Sequence, residues 1–302
     1  MPVHAFVLAA LPAVCRIFVS ADGYIDLFSR ADPARIRQTR LQKGSQVMIY
    51  DEASFRYLFG CSYDNMPGEC LINPFWPTGY FRKSCVVEHE YKGALFTTAL
   101  AVADDRQFGI ITCGVGSARA GDCVLFLEKA GVKRLVFTGT CGGIEPCDTG
   151  DMVIVDGAYN GEGFSRYCSG NETVRDILGV RKPFMCAPAL ADRLHDIAQV
   201  NAAEDAVLRR GMIYTTGSLF AETPEALKAL ARMGVLGVEM EMSAVCSASV
   251  NSGISCGGLM VVSDVPGKRS SGEKSTAQRK REYARAVGTA ISSAVNALTS
   301  CI

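Results

Sequence analysis

The chain is expected to fold as an α/β protein, with a sheet covered by helices. From about residue 94, strand-like apolar runs alternate with helix-like segments. Those runs are too continuously apolar for a sheet with one face in water. No internal repeat or linker interrupts the pattern, so residues 1–302 read as a single domain.

With 48% hydrophobic and 21% charged residues, the chain can bury a substantial core. Lys+Arg 31 balances Asp+Glu 31. A neutral chain gives no electrostatic reason to expect a nucleic-acid or anionic-membrane partner, and small molecules are the better expectation. The 13 cysteines are dispersed, with no CxxC pair and only His4, His89 and His195 beside them. Zinc-ligand spacing is absent, so no metal or other cofactor is expected, and the cysteines fit a reduced, cytoplasmic protein. The apolar stretch Ala5 to Val19 has no preceding basic residue and is interrupted by Arg16, unlike a signal segment. No run approaches the roughly 20 apolar residues of a membrane span.

Residues 1–30 are weakly patterned. Asp32-Pro33-Ala34-Arg35 reads as a turn opening a helix, with Asp as cap and Pro at the first helical position. Residues 60–84 are rich in Gly, Pro, Asn and aromatics and are expected to form a long surface insertion, a possible lid. Leu95–Ala103 and Phe108–Cys113 are strand-like around the turn Ala103-Asp104-Asp105-Arg106. A helix from Ser117 to Lys129 closes at Gly131. Leu135-Val136-Phe137 is a short buried strand running into Thr138-Gly139-Thr140-Cys141-Gly142-Gly143, and Asp151–Val155 is another. After a loop-rich 157–187 come a helix over Pro188–Glu204, a strand over Gly211–Leu219, and a helix opened by Thr223-Pro224-Glu225 and closed at Gly234. A strand over Val235–Met242, a helix over Ser243–Val250, a strand over Ile254–Ser263 and a long helix from about Thr276 finish the chain.

Gly237-Val238-Glu239-Met240-Glu241 sets two carboxylates two positions apart among apolar residues. On an extended strand they share a face. Buried carboxylates need partners, so hydroxyls or a positive charge are expected to meet them, the plain alternative being a structural ion pair. Gly114-Val115-Gly116 and the Gly139–Gly143 loop each follow a strand, where glycine lets backbone amides approach an anion and Thr140 adds a hydroxyl donor. The spacing lacks the full dinucleotide fingerprint. Asp264 ends an apolar strand, where desolvation can turn a carboxylic acid into a proton donor; capping of the following turn is the other reading.

Together, and in this order, Asp32-Pro33-Ala34-Arg35, the Gly139–Gly143 loop, Gly237–Glu241 and Val262-Ser263-Asp264 resemble the nucleoside phosphorylase superfamily, over roughly residues 30–300 with 60–84 unmatched. The likeness is to the bacterial-type purine nucleoside phosphorylases and the uridine phosphorylases. Its most specific part is the separation of Glu239 from Asp264, 264 − 239 = 25 positions. The resemblance implies a central mixed β-sheet flanked by helices. It also implies an enzyme, a pentosyltransferase that cleaves the N-glycosidic bond of a ribonucleoside with phosphate as co-substrate, purine slightly favoured.

By the same resemblance, Glu239, Met240 and Glu241 bind ribose, with His4 reaching a neighbour's 5′ hydroxyl. Arg35, Thr140 and Gly116 bind phosphate, Phe220, Cys141 and Gly142 line the base site, and Asp264 assisted by Arg279 protonates the leaving base. Family sites are completed across a subunit interface, so a homodimer or higher homo-oligomer is expected. The chain departs from the pattern at Ala31 and Phe137, which replace a phosphate glycine and arginine, and near Ala94, where a neighbour's arginine is expected. Arg82, Lys83 and Lys92 are the candidate substitutes. The uracil-reading segment of uridine phosphorylases is replaced by Ala221-Glu222-Thr223-Pro224. Uridine phosphorolysis, hydrolysis of the nucleoside by water, and a non-catalytic nucleoside-binding homologue are the alternatives.

Overall fold

The computed structural model describes residues 15–19, 25–29, 50–163, 183–266 and 275–300. The chain divides into two compact units, Met1–Asp51 and Glu52–Ile302. In the first, strands β1 (Cys15–Val19) and β2 (Ile25–Ser29) pair antiparallel, with Cys15 opposite Ser29. The expected helix opening at Asp32 lies outside the described residues, as do His4, Ala31 and Arg35.

The second unit is α/β, as expected. Its strands are β3 (Glu69–Asn73), β4 (Val86–Lys92), β5 (Thr97–Ala103), β6 (Arg106–Thr112), β7 (Arg134–Gly143), β8 (Met152–Gly161), β9 (Phe184–Met185), β10 (Leu208–Thr216), β11 (Gly237–Glu239) and β12 (Ser255–Asp264). Its helices are α1 (Glu52–Phe59), α2 (Ser117–Lys129), α3 (Pro188–Asn201), α4 (Pro224–Arg232), α5 (Met242–Ser252) and α6 (Thr276–Thr299). One mixed sheet runs β11-β10-β8-β12-β7-β3-β6-β5-β4, with β9 beside β8. β11 also pairs with β7, so five strands close on themselves as a ring. That closure brings the ends of β7, β11 and β12 together.

Local chemistry accounts for the boundaries. The β5–β6 turn places Asp104 and Asp105 at positive φ, which Asp tolerates. α2 stops where Gly131 takes φ +87, and the Thr223 hydroxyl caps α4 by accepting from the Ala226 N–H at 3.3 Å. The sheet buries one apolar cluster on each face. One joins α2 and α5 to Phe55 and Phe59, whose rings stack at 4.2 Å. The other packs α3 and α6 over Leu71, Val136, Leu259 and Val261.

Two expectations are corrected. Residues 60–84 are not a surface insertion. They contribute β3, hydrogen-bonded between β7 and β6 with Cys70, Leu71 and Ile72 buried. The Gly and Pro residues flank this short strand and obscured it. The strand expected over Val235–Met242 is only three residues long, because the chain turns at Met240 and Glu241 becomes the N-cap of α5. Other shifts are extensions: β8 runs to Gly161, and β7 is continuous from Arg134 through the glycine loop.

Candidate functional site

A cavity of about 180 Å³ opens where the ends of β7, β11 and β12 meet. Thr140, Cys141 and Gly142 come from β7, Val238 to Glu241 from the β11–α5 turn, and Ser263 and Asp264 from β12. Phe75, Val115, Leu219 and Glu222 complete the wall.

The two glutamates do not lie on one strand face. Glu239 is 4% exposed, and its Oε2 accepts the N–H groups of Glu241 and Met242, each at 2.7 Å. Its Oε1 accepts the Thr215 hydroxyl from β10, and Thr215 Oγ1 in turn accepts the Ser243 N–H at 2.8 Å. The side chain thus binds the otherwise orphaned amides at the start of α5, where a carboxylate also meets the positive end of the helix dipole. Beside it, the Ser243 hydroxyl donates to Glu162 at 2.8 Å. Glu239 is therefore chiefly a bracket for the turn.

Glu241 accepts the Gly116 N–H on Oε1 at 2.6 Å, and the Met240 N–H also bonds its carboxylate. Its remaining acceptor capacity faces the cavity. Burial raises the pKa of both glutamates, with the N–H groups of Gly116 and Met240 pulling Glu241 the other way. Gly116, expected as a phosphate contact, instead spends its amide on this carboxylate.

Asp264 is exposed at the end of β12, so the expected desolvation is not found. Its Oδ1 accepts the Ser263 hydroxyl at 2.7 Å, and that hydroxyl also lies 3.3 Å from the Cys141 carbonyl. Glu222 faces it; burial first, then the Asp264 charge, raises the Glu222 pKa. Cys141 is fully buried, and burial pushes its thiol far up, which makes it wall rather than nucleophile. Gly142 has no room for a side chain, since a Cβ would lie 2.7 Å from Pro266 Cγ.

Other expected residues stand apart. Phe220 is 97% exposed and outside the cavity wall, while its neighbour Leu219 lines it. Arg279, in the first turn of α6, does not line it, and its Nε is buried without a hydrogen-bond partner among the described residues. Phe137 lies fully buried in the core, so that position offers phosphate nothing. Arg82, Lys83 and Lys92 are exposed and outside the wall.

Sequence reasoning missed Phe75 and Glu222. Phe75 is held by the end of β3: Asn73 Oδ1 accepts the Trp76 N–H at 2.6 Å, and the Thr112 hydroxyl donates to the Trp76 carbonyl at 3.1 Å. Its signal was the aromatic content of 60–84. Glu222 lies two residues past Phe220, within a segment already singled out.

Residues 81–299 match the family model described as the phosphorylase superfamily. Among curated proteins, a DeoD-type purine nucleoside phosphorylase of Clostridium novyi (strain NT) is 25% identical over 155 residues, 51% of this chain and 60% of that one. A guanosine phosphorylase of Halorubrum lacusprofundi is 26% identical over 162 residues, 53% of this chain and 61% of that one. The chain thus spans about 60% of the length of these relatives. Among solved structures, a uridine phosphorylase from Vibrio fischeri ES114 superposes with TM-score 0.65 at 15% identity, over 78% of this chain and 93% of that one, a likeness of fold. No described helix is long and apolar enough to cross a membrane.

Proposed function

Because the chain belongs to the phosphorylase superfamily, we propose that it cleaves the N-glycosidic bond of a ribonucleoside by phosphorolysis, giving free base and ribose 1-phosphate. Purine nucleosides are the favoured substrates and uridine the alternative within the same reaction. The observation that carries this reading is Glu241: a carboxylate held in place by the backbone amides of Gly116 and Met240, lining a cavity that also holds Asp264.

A cis-diol offers two hydroxyl donors to one carboxylate, which matches the free capacity of Glu241. Met240 packs along the sugar, and Glu239 sets the turn that aims Glu241. Phe75, Val115 and Leu219 give the base an apolar wall. Asp264 is placed to protonate the departing base, and charge building on that base is where acid help lowers the barrier. Thr140 contributes a hydroxyl toward phosphate, with Arg35 as its expected cation and His4 as the 5′ contact. Completion of the site by a second copy is part of this reading, as is a cytoplasmic location.

One observation favours a second reading, hydrolysis. Among the described residues the cavity wall carries four carboxylates, Glu222, Glu239, Glu241 and Asp264, and no lysine or arginine. Phosphate needs a cation where water does not. Inosine, adenosine and uridine, each incubated with and without phosphate, separate the readings. Phosphate-dependent ribose 1-phosphate supports phosphorolysis. Free ribose at equal rates without phosphate overturns it in favour of hydrolysis, and no turnover of any nucleoside leaves a binding protein.

A further inference from the structure

Three cysteines distant in sequence meet in the buried core. Cys186 lies just ahead of α3, Cys246 on α5 and Cys256 at the start of β12. All three are buried and their Sγ atoms lie within 4.8 Å of one another, with Cys186 and Cys246 at 3.7 Å. Sulfurs bound at about 2.3 Å to one tetrahedral or trigonal ion stand roughly 3.8–4.0 Å apart, so little movement would be needed.

Ser249, one turn beyond Cys246, is fully buried, and its hydroxyl bonds to the Cys256 sulfur, which puts an oxygen donor beside the three sulfurs. α3 also begins at the cluster: Ala187, its N-cap, donates its N–H to the Cys256 carbonyl at 2.8 Å, joining the helix start to β12 where the sulfurs meet.

We propose that Cys186, Cys246 and Cys256 form a buried three-thiolate site for a soft d10 cation, Cu(I) or Zn(II), with the Ser249 hydroxyl as fourth donor when the ion is zinc. Thiolates select such ions, and three of them satisfy Cu(I), whereas zinc takes four ligands. Binding forms metal–sulfur bonds and releases the thiol protons to solvent. The ion would fasten together α3, α5, which Glu241 caps at its start, and β12, which ends at Asp264. The sequence hides this site, because its ligands are 60 and 10 positions apart (246 − 186 and 256 − 246) instead of in a short motif.

The test uses the full chain, reduced and stripped of metal without oxygen. It is titrated with Zn(II) alone and, in a second arm, with Cu(I) alone, then desalted for elemental analysis and thermal melting. The expected result is about one ion retained per chain in at least one arm. The melting temperature should rise by more than about 3 °C. Cys246→Ala should cut retention at least tenfold, roughly the scale of ligand-shell losses, while Cys123→Ala, a buried cysteine outside the cluster, should keep it. No retention in either arm, or equal retention in all three proteins, overturns the site. Should Cys246→Ala not fold, alkylation of the wild-type chain decides. Protection by metal mapped to Cys186, Cys246 and Cys256 supports the site, and protection mapped to other cysteines overturns it.

Discussion

The backbone N–H of Gly116 donates to Oε1 of Glu241 across 2.6 Å, joining two turns that lie 125 positions apart. One turn leads into α2 and the other into α5, and these helices pack on the same face of the sheet. A glycine that reads as an anion-binding element is thus occupied in orienting a carboxylate. The site is built around that alignment, and its parts can be tested separately.

Gly116→Ala tests the alignment. Gly116 sits at φ +111, and a Cβ there would meet nothing within 4 Å. Any loss therefore comes from backbone strain, not collision, and such conformations cost about 1–3 kcal/mol outside glycine. Relaxation turns the N–H away from Glu241. The expected outcome is a melting temperature lower by a few degrees, together with a fall in kcat/KM for the nucleoside of about tenfold or more. Unchanged kinetics at lowered stability would show that Glu241 keeps its aim without Gly116.

Glu241→Gln separates charge from shape. The amide oxygen can still accept from Gly116, so melting should stay within about 2 °C of the parent. Hydrogen bonds to a charged partner are worth about 1.5–3 kcal/mol, so loss of the charge should lower kcat/KM about 10–100-fold. The parent should lose activity on a 3′-deoxynucleoside, and the variant should lose little more. An equal further loss in the variant would detach Glu241 from the diol.

Much of this site was legible in the chain and some was not, for physical reasons. Glu239, Glu241, Thr140 to Gly142 and Asp264 are local in sequence, each sitting at a strand end marked by glycine or by an abrupt change from apolar to acidic, and the structure gathers all of them around one cavity. What decides the role of Glu239 is Thr215, which lies 24 positions away and reaches it only because β10 and β11 pair in parallel. No periodicity encodes that register. β3 was missed for a related reason: a five-residue strand with four residues buried between neighbouring strands needs no alternation, and the aromatic and proline residues around it resemble a loop. Phe75 was lost with it.

The pH dependence of stability should report Glu239. Burial, then the neighbouring Glu241 charge, raises its carboxyl to about 8, against about 4.3 for glutamate in an unfolded chain. Between these values the folded chain holds a proton that the unfolded chain has released. The stabilising contribution is therefore complete below about pH 4.3 and lost as pH rises through about 8. In Glu239→Gln the amide oxygen still serves the two backbone N–H groups and nothing titrates there. Melting curves from about pH 5 to 9 should fall with pH in the parent and fall less steeply in the variant, where the raised carboxyls of Asp122, Glu222 and Glu241 remain. Parallel slopes would assign the dependence elsewhere.

Asp264→Asn addresses the chemistry itself. Asp264 stands at the exposed end of β12 with the Ser263 hydroxyl on one oxygen, and Glu222 faces it across the cavity. Burial first, then the Asp264 charge, raises the Glu222 carboxyl, so the wall opposite Asp264 can also hold a proton for a departing base. Asparagine keeps the shape and removes the proton. General-acid help is worth about 10²–10⁴-fold, and purine turnover should fall by that order while uridine turnover falls less. A purine nucleoside already methylated at N7 carries positive charge on its leaving group and needs no proton, so the variant should recover most of the parent rate on it. Equal losses on the methylated and unmethylated substrates would place Asp264 in binding rather than in proton transfer. Glu222→Gln, assayed on the same pair, would then show whether the opposite wall carries the proton.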